Sequence, residues 1–124
     1  SKNYGSTVVA GETTAKEAGE KFALLELDRI AVKGKTEAVT IFGLMGDASV
    51  KESEDFKAWT RLHDQMLAAY RAQDWAGAEA AVKALRLRPN TNTVLYDLYA
   101  ERIADYRENP PGAEWDGVYV AKSK

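Results

Sequence analysis

Lys33 and Lys35 flank Gly34 in the run Val32-Lys33-Gly34-Lys35-Thr36-Glu37. Two ammonium groups beside a residue without a side chain can meet one anion, and a phosphate suits them. The same lysines are ordinary in a solvated hairpin turn. Gly34-Lys35-Thr36 has the ending of a P-loop, but that motif needs a glycine five residues earlier, where Arg29 stands. It also needs a strand before and a helix after, whereas this segment lies between two strand-like runs. Carboxylates offer a second chemistry. Glu26 and Asp28 share a face by their two-residue spacing on a strand, as an acid–base pair could. Asp28-Arg29 reads equally well as a salt-bridged strand end. His63 is the single histidine and the chain has no cysteine, so no second ligand of that kind stands near it for a metal. A surface or partly packed position is expected for it. Ser, His and Asp all occur, but nothing places them as a nucleophilic triad.

The elements that position these residues change character near residue 50. Before it the chain reads in β-rich pieces. Residues 6–10 are a brief β-branched run ending at Gly11, residues 12–18 read as a short helix, and residues 22–32 and 38–44 read as strands. The five-residue link Lys33-Gly34-Lys35-Thr36-Glu37 between them is a hairpin signal. Leu24, Leu25 and Leu27 break strict alternation, so both faces are expected to be partly buried. Residues 46–51 read as a joint.

From Ser53 onward the period is helical. Phe56, Trp59, Leu62, Met66 and Tyr70 recur every three or four residues, with Ser53 as N-cap. Asp74 can cap a second helix carrying Trp75, Ala78, Ala81, Val82 and Leu85, which Pro89 closes. A third helix spans about 93–108, with Leu95, Leu98, Tyr99, Arg102, Ile103 and Tyr106 on one side. The aromatic stripes have core spacing. Tyr70, Trp75, Ala78, Val82, Leu85 and Pro89 also follow the order of one tetratricopeptide-like helix pair. Because such repeats need about three units to stand alone, a docked helical appendage is expected. Trp115 to Val120 reads as a short extended tail.

Composition limits the function classes. The chain has 124 residues, about one domain; 45% are hydrophobic and 29% charged, which fits a folding chain rather than a disordered one. Seventeen basic against nineteen acidic residues give a net charge of -2, no electrostatic case for nucleic acid or an anionic membrane. Residues 1–47 carry six basic and seven acidic side chains, and 48–124 eleven and twelve, so neither half is a charged tail. No apolar run approaches the roughly 20 residues of a membrane helix, and the lack of cysteine fits a cytoplasmic setting. The β-rich half is thin. Three strands and one short helix cannot easily bury both sheet faces, so a piece of something larger is expected.

The run Asn3-Tyr4-Gly5-Ser6-Thr7-Val8-Val9-Ala10-Gly11-Glu12-Thr13-Thr14, with Glu26-Leu27-Asp28-Arg29-Ile30-Ala31-Val32-Lys33-Gly34-Lys35-Thr36-Glu37-Ala38-Val39-Thr40-Ile41-Phe42, resembles the last third of a class III adenylate/guanylate cyclase catalytic domain. In that family a helix ends at Tyr-Gly, a strand leads into a helix start, and a Leu-Asp-Arg-x-x-Val-Lys-Gly-Lys hairpin closes the domain. The tail Asn109-Pro110-Pro111 with Trp115-Asp116-Gly117-Val118-Tyr119-Val120 is similar to the end of bacterial cyclases carrying a tetratricopeptide-like extension.

The resemblance implies an α+β chain. Residues 1–47 would be part of a ferredoxin-like cyclase domain, and residues 52–124 a helical extension of about three helices. It implies a parent enzyme converting ATP to 3′,5′-cyclic AMP and pyrophosphate in signal transduction, with two Mg²⁺ or Mn²⁺ ions held by two aspartates at a homodimer interface. Adenylate is preferred to guanylate from the family's bacterial bias alone. Lys33 falls on the lysine that contacts the terminal phosphates, with Lys35 a further candidate, and no catalytic or metal-binding residue falls within the chain. The metal aspartates are expected before Ser1, so this chain alone is expected not to turn over ATP. Two other readings stand beside it: a non-enzymatic helical scaffold, and a regulatory domain that binds a nucleotide without cyclising it.

Overall fold

The computed structural model describes residues 4, 7–32, 38–89 and 91–121. The architecture is α+β. In chain order come β1 (Thr7–Ala10), α1 (Glu12–Gly19), β2 (Ala23–Val32), β3 (Val39–Gly46), α2 (Ala48–Glu52), α3 (Glu54–Arg71), α4 (Trp75–Arg86), α5 (Thr93–Glu108) and β4 (Tyr119–Ala121). Two compact units result. One comprises Ser1, Ser6–Lys57 and Val118–Lys124, and the other Lys2–Gly5 and Ala58–Gly117.

The first unit is a four-stranded sheet in the order β1-β3-β2-β4. β3 pairs antiparallel with both β1 and β2. Sequential strands joined by a short link pair this way because an antiparallel hairpin closes the shortest loop. β4 adds to the other side of β2 in parallel, with Ile30 opposite Tyr119 and Val32 opposite Ala121. Of the expected extended tail, Trp115 to Val120, only the end from Tyr119 is a sheet strand, and Trp115 lies in an irregular stretch before it. Gly11, at φ 90°, turns the chain from β1 into α1, a backbone region that glycine occupies without strain. Its amide donates to the Thr40 carbonyl at 3.1 Å. α1 lies against β1, β2 and β3, and α2 against β2 and β3.

A bulge interrupts β2. Glu26 stands opposite Phe42 and Asp28 opposite Ile41, so β2 takes two steps where β3 takes one. Phe42 and Ile41 are adjacent and point to opposite faces, and Glu26 and Asp28 therefore do too. The expectation that these carboxylates share a face is corrected by the extra residue, Leu27. One sheet face carries Leu25, Gly43, Asp28 and Ile41, all buried. On the other face Val9, Leu24 and Phe42 are half-buried and Leu44 is 38% exposed.

Where a joint was expected, α2 forms. Asp47 caps it, its Oδ1 accepting from the Ser49 and Val50 amides at 3.0 and 3.2 Å and from the Ser49 hydroxyl at 2.8 Å. The Ser49 hydroxyl bond, followed by the Val50 amide bond, holds the Asp47 carboxyl below its ordinary value of 3.8. A depressed folded pKa means the capping contribution is complete above the unfolded pKa and is lost as pH falls through the folded one. Asp47→Ala is accordingly expected to accelerate amide exchange at Ser49 and Val50 at neutral pH. Equal exchange rates in variant and wild type would remove the capping role.

The second unit contains most of α3 with α4 and α5. The α3 residues Trp59, His63, Met66, Leu67 and Tyr70 are buried, at the three-and-four spacing of one helix face. Ala78, Ala81, Val82 and Leu85 of α4, and Leu95, Tyr96, Tyr99, Arg102 and Ile103 of α5, are buried as well. Asp74 caps α4 by accepting from the Gly77 amide at 3.1 Å. Asn92 caps α5 by accepting from Leu95 at 3.0 Å, and its own amide donates to the Tyr4 carbonyl at 2.7 Å. Thr91 Oγ1 donates to the Leu85 carbonyl at 2.7 Å, which also accepts from the Arg88 amide at 3.3 Å, where Pro89 has no N–H to continue the helix. The exposed pairs Arg86–Asp97 and Arg107–Glu79 link α4 to α5. Exposed ion pairs of this kind add little stability. Among the described residues, no helix is long and apolar enough to cross a membrane.

Candidate functional site

β2 and β3 are antiparallel neighbours whose last paired residues are Ile30 and Val39. Beyond that point β2 runs on to Val32, held from its other side by β4. Lys33 directly follows Val32 in the chain. Lys33 and Lys35 themselves, the phosphate-contact candidates, lie outside the described residues.

The carboxylate candidates are separated. Asp28 is 1% exposed and its Oδ1 accepts from the Arg29 backbone amide at 2.8 Å. Glu26, half-buried, belongs to the opposite face. No acid–base pair is formed by these two, because proton relay needs both groups within reach of one substrate.

His63 is fully buried rather than at the surface or partly packed. Its Nδ1 lies 2.8 Å from the Tyr96 hydroxyl, and the Trp59 indole N–H donates to that same oxygen at 2.7 Å. Trp59 and His63 are one helical turn apart on α3, so both reach one hydroxyl on α5. The Arg88 guanidinium lies 4.7 Å from the Trp59 ring centre, a cation–π distance. Burial pushes the Tyr96 phenol well above its ordinary value of 10.0, against smaller opposing effects of the Trp59 bond and the Arg88 charge. A neutral phenol with at most 8% exposure at any of the three side chains joins helices; it does not meet a substrate. Sequence spacing placed Trp59 on the core stripe but omitted Tyr96 and the bond between them, since a bond between residues 37 apart leaves no local pattern.

A second constellation surrounds Trp115. Its ring lies 5.2 Å from Tyr70 at 79°, 5.1 Å from Tyr106 and 5.9 Å from Trp75. Trp75 stacks on Tyr106 at 5.3 Å and 25°, and Tyr70 meets Tyr99 edge-to-face at 5.0 Å. These separations are those of favourable aromatic pairs. Beside them the Gln73 amide donates to the Gly112 carbonyl at 2.6 Å. Gly117, at φ 85°, passes so close to Arg71 that a Cβ on it would lie 2.7 Å from Arg71 Cγ.

Among the described residues, no three His, Cys, Asp or Glu side chains converge as a metal site would require. No protein-family model matches the chain, and neither a curated protein nor a solved structure shows significant similarity to it.

Proposed function

We propose that residues 1–47 are the closing part of a class III nucleotidyl cyclase catalytic domain with a ferredoxin-like core, followed by a tetratricopeptide-like helical extension. The parent enzyme converts ATP to 3′,5′-cyclic AMP and pyrophosphate as an intracellular signal, works as a homodimer, and acts in the cytoplasm. One observation carries the reading: β2 and β3, which hold Leu27-Asp28-Arg29 and Val39-Thr40-Ile41-Phe42, are antiparallel neighbours and bracket Lys33-Gly34-Lys35. That is the arrangement expected of the closing hairpin. The half-covered apolar face of Val9, Leu24, Phe42 and Leu44 lends further support, since a larger domain would use it as core.

This chain's own contribution is charge contact. Lys33, with Lys35 beside it, meets the triphosphate as a flexible point charge. Among the described residues no three His, Cys, Asp or Glu side chains converge, and the parent enzyme's two Mg²⁺ or Mn²⁺ ions would be held by aspartates outside this chain.

Titration of the full chain with ATP tests the assignment. Lys33→Ala is expected to weaken binding about tenfold, the loss associated with one charge-assisted contact. Lys35→Ala is expected to weaken it less. Unchanged affinity in Lys33→Ala would remove the phosphate role and leave the scaffold reading.

A further inference from the structure

We propose that the surface formed by Tyr70, Gln73, Trp75 and Tyr106 is a peptide-docking site, occupied here in cis by the chain's own segment 109–117. The segment is held as a recognised peptide is held. Trp115 is the anchor, with its ring against Tyr70, Trp75 and Tyr106 at 5.1–5.9 Å. Aromatic anchors of this kind dominate peptide and protein recognition. The Gln73 side chain reads the backbone through the Gly112 carbonyl at 2.6 Å, which fixes register without demanding a particular side chain there. Gly117 admits the close pass over Arg71 that any Cβ would block.

Between these points a turn shapes the segment, the Trp115 amide donating to the Gly112 carbonyl at 3.2 Å. Gly112, Ala113, Glu114 and Asp116 are exposed. The receptor side carries its own signature. Gln73 has φ 62°, the only positive φ of a non-glycine residue among the described residues. That backbone closes α3, the Gln73 amide donating to the Tyr70 carbonyl at 3.1 Å and the Asp74 amide to the Ala69 carbonyl at 2.8 Å. Here it sits at the α3–α4 corner, in the residue whose amide meets the tail.

The ligand class follows from these contacts. It is a peptide with tryptophan as anchor, a glycine two residues after it, and three residues before it a carbonyl that accepts both from the anchor's own amide, at 3.2 Å, and from Gln73. The tail satisfies all three with Gly112, Trp115 and Gly117. Because the segment leaves α5 through only Asn109, Pro110 and Pro111, its effective concentration at the site is on the order of millimolar or higher. A free peptide of the same sequence therefore competes poorly with the intact tail and well with one whose anchors are removed.

The test uses the full chain and a fluorescently labelled synthetic peptide, Asn-Pro-Pro-Gly-Ala-Glu-Trp-Asp-Gly, followed by anisotropy. The Trp115→Ala/Gly117→Ala double variant is expected to bind it saturably, and the wild type about tenfold or more weakly. Replacing the peptide's Trp by Ala is expected to abolish binding, and adding Gln73→Ala to the variant to weaken it several-fold. Far-UV circular dichroism is recorded alongside. A double variant that stays helical but takes up no peptide overturns the proposal, as does one that binds the Ala peptide equally well. Binding to the wild type as tight as to the variant also overturns it. Loss of helicity in the double variant overturns it too, because Trp115 would then be part of the unit's core and not a ligand.

Discussion

Tyr96→Phe is expected to lower folding stability by about 2–4 kcal/mol, although it removes a single oxygen. That oxygen is shared. It accepts from Trp59 Nε1 at 2.7 Å and lies 2.8 Å from His63 Nδ1. Trp59 is 8% exposed and the other two side chains are 0% exposed. A buried polar group deprived of a partner loses roughly 1–3 kcal/mol, and here two groups lose one together. The cost depends on pH in a defined direction. Burial raises the Tyr96 phenol above 10.0 in the folded chain, so above pH 10 the unfolded state releases a proton that the folded state keeps. Stability is therefore complete below the unfolded pKa and falls as pH rises through the folded one, by about 1.4 kcal/mol per pH unit. Phenylalanine has no proton to lose, and the deficit of Tyr96→Phe should shrink above pH 10. Urea unfolding of both proteins at pH 7 and pH 11 measures this. A loss below about 0.5 kcal/mol at pH 7, the range of a neutral surface change, would sink the shared-hydroxyl account.

The legible parts of this fold are those whose cause is local. Ser53 and Asp74 cap their helices as their types suggest, and the three-and-four spacing of Trp59, Met66 and Tyr70 marks a buried face. The antiparallel pairing of β2 with β3 follows from two apolar runs and a short link. What was not legible is non-local or turns on one residue. Leu27 adds a step that sends Glu26 and Asp28 to opposite faces, and no spacing rule announces a bulge. β4 is three residues long and owes its strand state to β2. On α5 the stripe holds at Leu95, Tyr99, Arg102 and Ile103 but not at Leu98 and Tyr106. Both are only half-buried, whereas Tyr96 is fully buried, because the buried arc is wider than one row and a tyrosine can occupy it when its hydroxyl is bonded. Likewise Trp115 sits in an irregular stretch, where periodicity has nothing to measure.

Gly46→Ala is expected to destabilise the first unit by about 1–3 kcal/mol, the range of overpacking. The backbone of Gly46 is not left-handed, so strain there is not the cause. The cause is α2. A Cβ on Gly46 would stand 2.6 Å from Val50 Cβ, 2.6 Å from Val50 Cγ2 and 2.8 Å from Val50 Cγ1, well inside the 3.5–4.0 Å at which carbon atoms attract. The two methyls could in principle turn away, although valine in a helix has one strongly preferred rotamer. Val50 Cβ cannot turn away, since the helix backbone fixes it. Nor is α2 free to slide, because the Asp47 cap holds its start and Lys51 Nζ donates to the Glu20 carbonyl at 3.4 Å. A double-mutant cycle separates the atoms responsible. Val50→Ala leaves the Cβ in place and should rescue Gly46→Ala only in part. Val50→Gly removes it and should cancel the clash, leaving about 1 kcal/mol from glycine in a helix. Full rescue by Val50→Ala would place the conflict in the methyls alone. A Gly46→Ala protein as stable as wild type would mean that α2 does not rest on the end of β3 as described.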